Sequence, residues 1–150
     1  MLTPPDIPPQ SWQRPDGYVL TTDRSRLDLA TIHDFLAREA YWVKDMSRAR
    51  LERALAGSLP VAVLAPDGTL AGFGRVVTDY AVFAYLRDVF TLPAHRGRGL
   101  ASWLALAIRA HPELAEVRTW MLATRDAQAV YARAGYAPLP HPDWYMAIRT

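Results

Sequence analysis

Apolar residues recur along the chain with two different spacings, and these spacings separate strands from helices. Runs rich in apolar and β-branched residues, bounded by Gly, Pro or Asp, predict six strands over residues 18–22, 60–64, 70–78, 85–92, 117–122 and 144–148. Apolar positions three and four apart predict a helix that follows Asp28 and helices over residues 48–56, 100–110 and 126–134. The order strand, two helices, three strands, helix, strand, helix, strand begins with neighbours that can pair antiparallel and ends in crossovers that require parallel neighbours. It predicts an α/β (α+β) domain around a mixed sheet.

Cap and turn residues set several of the expected boundaries. Asp28 and Ser47 stand where a side-chain oxygen would accept hydrogen bonds from the first turn of a helix. Gly57 is placed to end the second helix, and Pro66-Asp67-Gly68 predicts the turn of a hairpin.

Five prolines fall in the first sixteen residues, and they predict an extended segment without a regular ladder. We expect residues 1–16 to form an arm that lies on the surface or reaches a partner, with Trp12 as its anchor. Residues 17–150 are then expected to form a single domain, since a chain of 150 residues that is 51% apolar supports one core.

The composition excludes some kinds of site. The chain has no cysteine, which rules out disulfides, thiolate metal ligands and an acyl group carried on an enzyme cysteine. Any acyl transfer must therefore be direct. The four histidines are scattered without close ligand spacing, so we expect no metal site.

The charge and hydropathy patterns bear on partners and location. Seventeen basic residues, all arginine except Lys44, stand against fifteen acidic ones, and this small excess argues against a nucleic-acid partner. No apolar run approaches the roughly 20 residues of a membrane span, and the first residues lack the features of a signal peptide. We expect a cytoplasmic protein with no membrane partner.

The segment from Asp88 to Ala101, DVFTLPAHRGRGLA, combines an apolar strand, a glycine turn and the start of an amphipathic helix. Gly97 and Gly99 allow a ligand to approach the backbone, and Arg96 and Arg98 add positive charge. Unpaired N–H groups at a helix start bind phosphate, so the segment predicts a phosphate cradle. A plain strand-to-helix turn with two solvated arginines is the alternative. The spacing fits neither a P-loop nor a dinucleotide-binding fingerprint.

Two motifs resemble those of the GNAT superfamily of N-acetyltransferases. Arg96-x-x-Gly99-x-Ala101 resembles the family's pyrophosphate-binding signature, and Ala127-x-x-x-Tyr131-x-x-x-Gly135-Tyr136 resembles its final helix. Helical spacing puts Ala127 and Tyr131 on one face, and Gly135 is suited to the left-handed stop. The predicted order of elements is that of the GNAT fold, which implies a central mixed sheet of about six to seven strands with about four helices.

The resemblance implies acetyl-CoA as the acyl donor. Coenzyme A would lie with its pyrophosphate on the amides of the cradle and its pantetheine arm beside the end of the preceding strand, where an N–H can polarise the thioester carbonyl. Thr124 stands where many members carry an asparagine that holds the cofactor. The cofactor-binding residues expected on this basis are Phe90, Thr91, Leu92, Arg96, Gly97, Arg98, Gly99, Leu100, Ala101 and Thr124.

The resemblance also implies a general acid, and amine chemistry requires a base. In the family a tyrosine at the position of Tyr131 protonates the departing thiolate; the alternative is a half-buried aromatic on an amphipathic helix. An amine with a pKa near 10 must lose a proton before it attacks. Asp88 is the first candidate for that base, because it interrupts an apolar strand; it could equally be a structural partner for Arg87, Arg75 or a loop N–H. Asp79 and His33 are weaker candidates.

The acceptor is the least determined part. Tyr41, Trp42 and Tyr85 are candidates for an aromatic acceptor pocket, together with Tyr80 and Phe83, although the same residues could pack a core or a dimer interface. The leading prediction is an acetyl-CoA-dependent N-acetyltransferase acting on a primary amine of a small molecule or peptide through a ternary complex. The alternative is a non-catalytic acyl-CoA-binding regulatory module. The resemblance also makes a homodimer an expectation.

Overall fold

A curved six-stranded sheet forms the centre of the protein, with its strands in chain order from one edge to the other. The computed structural model describes residue 3, residues 5–40 and residues 45–150. The first five strands are antiparallel neighbours: β1 (Ser11–Gln13), β2 (Val19–Thr21), β3 (Leu59–Leu64), β4 (Leu70–Thr78) and β5 (Phe83–Thr91). The sixth, β6 (Thr119–Met121), pairs parallel with β5. The mixed sheet confirms the predicted fold class.

Helices cover both faces of the sheet. Their bounds are α1 (Leu29–Arg38), α2 (Arg48–Ala56), α3 (Leu100–Ala107) and α4 (Gln128–Ala132). On one face, Ile32 and Leu36 of α1 and Leu51 of α2 join a buried cluster with Phe73 and Phe90 of the sheet. On the other face, Leu104 of α3 belongs to a second cluster that includes strand residues from β2 to β5. The sheet therefore has two apolar faces, which explains why β3 is buried at every position.

The predicted caps are confirmed. The Asp28 carboxylate accepts a hydrogen bond from the Thr31 N–H at 3.1 Å, and the Ser47 hydroxyl oxygen accepts one from the Arg50 N–H at 3.1 Å. Gly57 follows the last residue of α2, as expected. These local signals work because each satisfies N–H or C=O groups that a helix end leaves open.

The N-terminal segment differs from its prediction. Residues Ser11–Gln13 pair with β2 as an edge strand, so the expectation that the prolines exclude a ladder over residues 1–16 is wrong for this stretch. The strand lies between Pro9 and Pro15, and an edge strand needs hydrogen bonds on one side only. Trp12 packs against the core cluster beneath α3, in keeping with its expected role as an anchor.

The C-terminal part of the chain also differs. The strand predicted over residues 144–148 is absent: a 3₁₀ turn spans Pro142–Trp144, and the residues after it belong to no strand. The last helix is shorter than the predicted 126–134, because a turn held by Thr124 precedes it and a turn at Gly135 follows it. Within the described ranges, no helix has both the length and the apolar character needed to cross a membrane.

Candidate functional site

The turn between β5 and α3 forms an open cradle of backbone groups. Gly97 and Gly99 both have positive φ, at 78° and 68°, a region that favours glycine. A Cβ atom added at Gly97 would meet nothing within 4 Å, and Gly99 precedes the first residue of α3 without a side-chain cap. No acceptor in the described chain bonds the N–H groups of residues 97–101. The structure therefore has a glycine turn whose N–H groups have no partner in the described chain.

Arginine and aromatic side chains hold this turn in place. Arg96 and Arg98 are exposed, and Arg96 donates from Nε to the carbonyl oxygen of Thr91 at 3.2 Å. Arg14, near the N-terminus of the chain, donates to the carbonyl oxygen of Arg98 at 2.9 Å. Tyr18, which immediately precedes β2, and His95 in the turn are joined by a hydrogen bond of 2.8 Å. Three positive charges therefore surround the cradle, which suits an anionic ligand.

Beyond the cradle, β5 and β6 separate. They pair from Phe83 with Thr119 to Tyr85 with Met121, and in the described chain residues 86–91 of β5 have a strand partner only on the β4 side. The N–H of Leu92 donates to the Ala71 carbonyl at 2.8 Å. Strand alternation then turns the N–H of Thr91 toward the open side. Tyr85 stands at the last paired position, at the mouth of the opening.

Phe90, Thr91 and Leu92, the residues at the end of β5 expected to bind the cofactor, therefore differ in which of their groups a ligand could contact. The Phe90 side chain is buried and stacks on Phe35, with ring centroids 4.1 Å apart, so it belongs to the core. Both backbone groups of Leu92 are used inside the chain, since its carbonyl accepts from the His95 N–H at 2.9 Å. Thr91 is the residue with a donor on the open side.

A β-bulge in β5 turns Asp88 into the protein. Two residues of β5 oppose Gly74 alone, and Asp88 has a φ of 57°. Its carboxylate is 1% exposed and lies 2.6 Å from Nε of Arg75, while its second oxygen is 3.7 Å from Nε of Arg87. That second oxygen, Oδ1, has no hydrogen-bond partner in the described chain. The ion pair with Arg75 supports the structural alternative for Asp88, and its role as the base stays a prediction.

The other candidate bases have structural partners. The Asp79 carboxylate accepts hydrogen bonds from the N–H groups of Ala81, Val82 and Phe83, and these bonds lower the pKa of Asp79. His33 bonds through Nε2 to the carbonyl oxygen of Met46 at 2.7 Å. Asp79 thus stabilises the turn between β4 and β5, and His33 links α1 to the segment just before α2.

Helix α4 carries Tyr131 at the edge of a cleft. Its ring is half-buried and meets Tyr136 edge to face, with centroids 6.1 Å apart. Gly135 has a φ of 96°, and the Tyr136 N–H donates to the Tyr131 carbonyl at 3.1 Å, which confirms the left-handed stop. The Thr124 hydroxyl oxygen accepts from the Ala127 N–H at 3.1 Å, so this side chain caps the turn before α4.

The cleft has a volume of about 740 Å³ and lies between β6 and residues 136–140. Tyr131 and Thr124 line it together with Trp120 of β6. Helix α4 packs against α3, the helix that begins at the cradle. The two sequence motifs therefore lie on neighbouring helices, and the end of the second motif meets Arg109, whose Nη1 donates to the Ala134 carbonyl at 2.9 Å.

Some predicted residues cannot be placed, and some supporting residues were not predicted. Tyr41 and Trp42 lie outside the described residues. Among those that are described, no group of three or more His, Cys, Asp or Glu side chains could hold a metal ion. Arg14 and the bond between Tyr18 and His95 support the cradle, and no motif indicates them because their partners are distant in sequence.

Comparison with known proteins identifies the family. Residues 29–136 match the model of the Acetyltransferase (GNAT) family. A crystal structure of a GNAT-family protein from Xanthomonas campestris pv. campestris superposes with a TM-score of 0.82 and is 40% identical, over 97% of this chain and 96% of that chain. FG08082 of Gibberella zeae, named as an acetyltransferase, is 28% identical over 83% of this chain and 81% of its own.

The same fold occurs in spermidine N-acetyltransferase from Vibrio cholerae, which was solved in complex with CoA and spermine. That structure has a TM-score of 0.63 at 18% identity, over 89% of this chain and 83% of that chain. The family match spans most of the chain and includes the cradle and α4. This chain therefore belongs to the GNAT family of acetyltransferases.

Proposed function

We propose that this acetyltransferase moves the acetyl group of acetyl-CoA directly to a primary amine of a small molecule or peptide while both substrates are bound. The observation that carries the proposal is the open cradle of residues 97–101 at the start of α3. Direct transfer follows from the composition, because the chain has no cysteine to carry the acyl group.

The cradle fits the diphosphate of coenzyme A. Two left-handed glycines leave open space in front of the backbone, and the N–H groups of residues 97–101 have no acceptor in the described chain. A diphosphate would accept hydrogen bonds from these groups and would be favoured by the positive end of α3. Arg96 and Arg98 would contribute charge at the rim of the cradle.

The open side of β5 fits an extended ligand arm. Within the described residues, β5 has no strand partner over 86–91 on the β6 side, and Thr91 presents its N–H there, so an extended chain with amide groups could add to the sheet. The bound donor supplies an acetyl group already activated as a thioester. Thr91 would orient that group by donating from its backbone.

Tyr131 is proposed as the proton donor to the departing thiolate. Its ring stands at the edge of a cleft, on a helix that packs against α3, the helix that begins at the cradle. Its pairing with Tyr136 fixes the ring orientation. A positioned phenol can deliver a proton without leaving the helix.

Asp88 is proposed as the group that receives the amine proton, through its second carboxylate oxygen. That oxygen lacks a hydrogen-bond partner in the described chain, while the first oxygen is held by Arg75. A buried carboxylate suits a cationic amine, which agrees with the spermine seen in the Vibrio cholerae enzyme. The acceptor would approach from the α1 and α2 side, where Asp88 pairs with Arg75.

A panel of amines assayed for thiol release from acetyl-CoA tests the proposal, together with a thermal shift measured with coenzyme A. We expect coenzyme A to raise the melting temperature, because a ligand that binds only the folded state stabilises it. We also expect thiol release with at least one class of primary amine. Binding without thiol release across the panel would favour the acyl-CoA-binding module instead, and the absence of binding would contradict both.

The variant Tyr131→Phe tests directly whether Tyr131 is the proton donor to the departing thiolate. We expect turnover to fall by about 10²- to 10⁴-fold, the range for loss of a general acid, with coenzyme A affinity unchanged. Tyr136→Phe is the matched control. The Tyr136 hydroxyl is buried with no hydrogen-bond partner among the residues the structure describes, and burial raises the pKa of Tyr136 to about 12, so removal of the hydroxyl should leave turnover intact. Equal turnover in the two variants would remove the role of Tyr131.

A further inference from the structure

The hairpin end of β4 and β5 carries a row of apolar side chains on the face that α1 and α2 cover farther along the sheet. Val77 of β4 pairs with Tyr85 of β5, and Met121 of β6 pairs with Tyr85 from the other side. Phe83, two residues from Tyr85, shares their face. Val77 is 38% exposed and Phe83 is 37% exposed, although both belong to the central sheet. Apolar side chains left open to solvent together on one surface indicate a binding surface.

Two arginines adjoin this apolar row on the same face. Arg75 and Arg87 stand directly opposite each other on β4 and β5, and each is two residues from a member of the row. Like charges in opposite positions repel each other. The Asp88 carboxylate contacts both, at 2.6 Å from Nε of Arg75 and 3.7 Å from Nε of Arg87. Two guanidinium groups therefore share one carboxylate, which leaves an excess of positive charge.

Arg87 is the member of this group that a ligand can reach. Its side chain is 47% exposed, whereas those of Arg75 and Asp88 are 11% and 1% exposed. The Arg87 guanidinium has no hydrogen bond to an acceptor in the described chain. A guanidinium binds a carboxylate through two parallel N–H···O bonds. The site therefore has a solvent-facing group suited to an anion beside the buried carboxylate proposed as the base.

The charges of this site distinguish between kinds of amine. An alkylamine arrives protonated, so Asp88 attracts it while Arg87, beside Asp88, repels it. An acceptor that carries its own negative group meets no such conflict, because its ammonium can face Asp88 and its anion can face Arg87. Oδ1 of Asp88 and Nε of Arg87 are 3.7 Å apart. That distance suits an amine and a carboxylate attached to the same carbon atom.

We propose that the acceptor is a free α-amino acid with a large apolar side chain, and that Arg87 selects it by binding its carboxylate. This inference rests on the proposed function and names the acceptor class at the same site. The apolar row lies two residues along the strands from the arginines, a distance of about 7 Å. A side chain as long as that of leucine or phenylalanine spans this distance and packs on Val77 and Tyr85.

The transfer balances with the groups already proposed. The ammonium of the amino acid gives one proton to Asp88, which passes it to solvent, and the amine nitrogen then bonds to the thioester carbonyl carbon. The nitrogen releases a second proton as the carbon–sulfur bond breaks, and Tyr131 supplies a proton to the thiolate sulfur. The second proton restores that of Tyr131 by way of solvent. The products are an N-acetyl amino acid and coenzyme A, with one proton released, and Arg87 holds the carboxylate throughout.

Matched pairs of acceptors, assayed for thiol release from acetyl-CoA with the full chain, test the substrate class. We expect kcat/KM to be about 10- to 100-fold higher for L-leucine than for isoamylamine, its analogue without the carboxylate, and likewise for L-phenylalanine over phenethylamine. L-leucine should also exceed glycine by at least about ten-fold, since glycine has no side chain to pack on the apolar row. Equal or higher values for the two amines, or for spermidine, would overturn the inference and leave the proposed function intact. Thiol release with no acceptor at all would instead contradict the proposed function, and this inference with it.

The variant Arg87→Gln tests the carboxylate contact. We expect KM for L-leucine to rise by about 10- to 100-fold, while KM for isoamylamine stays the same or falls, because only the amino acid loses a partner. Arg26→Gln removes an exposed arginine from the 3₁₀ turn before α1 and should change neither value. Coenzyme A should bind both variants as it binds the natural chain. A loss of activity that is equal for the two acceptors would show that Arg87 only balances the charge of Asp88, and would overturn its role in selection.

Discussion

At the scale of single residues, the pair formed by Arg75 and Asp88 combines a structural contact with a proposed chemical role. The two side chains are 11% and 1% exposed and lie 2.6 Å apart. Breaking a buried pair leaves one charge without compensation, which costs far more than the pair itself contributes. A variant of Asp88 alone therefore cannot separate stability from catalysis.

Substituting Asp88 and Arg75 together can separate the effect of Asp88 on stability from its proposed role in catalysis. Asp88→Asn should lower the free energy of unfolding by about 3 to 5 kcal/mol, because Arg75 is left buried and unpaired. Arg75→Gln with Asp88→Asn should restore most of that loss, since both charges are gone. If Asp88 is the base, the double variant stays slow in steady-state kinetics and loses the acidic limb of its pH profile. Recovery of turnover along with stability would mean that Asp88 acts only as the partner of Arg75.

His111 gives a prediction about pH and stability. It is fully buried, its Nδ1 accepts from the Glu113 N–H at 3.1 Å, and Nε2 has no partner in the described chain. Burial lowers the pKa of His111 below its usual 6.5, although the charge of Glu113 opposes this effect. The folded state therefore binds this proton less readily than the unfolded state. Its contribution to stability is complete above pH 6.5 and declines as the pH falls below that value.

Urea unfolding at pH 7.5 and pH 5.5 measures this contribution. We expect the free energy of unfolding to fall between the two, and His111→Asn to make that fall smaller. Asparagine keeps an acceptor near the position of Nδ1 but does not titrate. His141→Asn, at an exposed position, serves as the control. An identical pH dependence for His111→Asn and the natural chain would contradict the assignment.

At the scale of elements, local signals predict the bounds of α2 well and the edge strands of the sheet poorly. The structure places α2 and β4 at the residues predicted for them, because Ser47, Gly57 and the turn at Gly68 satisfy backbone groups locally. The sequence carries no such local signal for the bulge at Asp88, because a bulge depends on the register between β5 and β4. The strand expected at residues 144–148 has the right alternation, but it pairs with no strand of the described chain. A pattern can predict that a segment suits a sheet and cannot say which edge it joins.

The cradle is the element whose backbone geometry could be predicted most directly from sequence. Two glycines in the left-handed region and an open helix start follow from Gly97 and Gly99 themselves. The sequence could not predict which backbone groups of residues 90–92 are open to a ligand, because the direction of every N–H in β5 depends on the register of β5 with β4. Phe90 and Leu92 were expected to contact the cofactor, and only Thr91 has a donor on the open side.

Arg96→Ala tests the charge of the cradle. Arg96 is exposed at its rim, and loss of a charge-assisted contact should weaken coenzyme A binding by about 10- to 100-fold. Titration calorimetry at fixed salt measures the dissociation constant. Arg53→Ala removes an exposed arginine from α2 and should leave that constant unchanged. Equal constants for Arg96→Ala and Arg53→Ala would show that the diphosphate does not contact Arg96.

At the scale of the whole molecule, the N-terminal segment and the cradle form one unit although they are far apart in sequence. Arg14 lies over the rings of Trp103, at 5.1 Å, and Tyr18, at 5.5 Å, and its Nη1 holds the carbonyl oxygen of Arg98. Strand β1 pairs with β2 just before this residue. The segment expected to lie on the surface or reach a partner thus includes a strand of the sheet and leads directly to Arg14, which holds the turn between β5 and α3.

This connection predicts that Arg14→Ala weakens coenzyme A binding without removing any group that would touch the ligand's diphosphate. The Arg98 carbonyl loses a hydrogen bond and Trp103 loses its stacked cation, so the cradle samples more conformations when empty. We expect the dissociation constant to rise by about two- to ten-fold, corresponding to one hydrogen bond, with a larger unfavourable entropy of binding. Asp16→Asn leaves the tether and removes only the exposed ion pair of Arg14, so it should bind normally. If both variants bind coenzyme A like the natural chain, the cradle keeps its shape without the N-terminal segment, and the brace is dispensable.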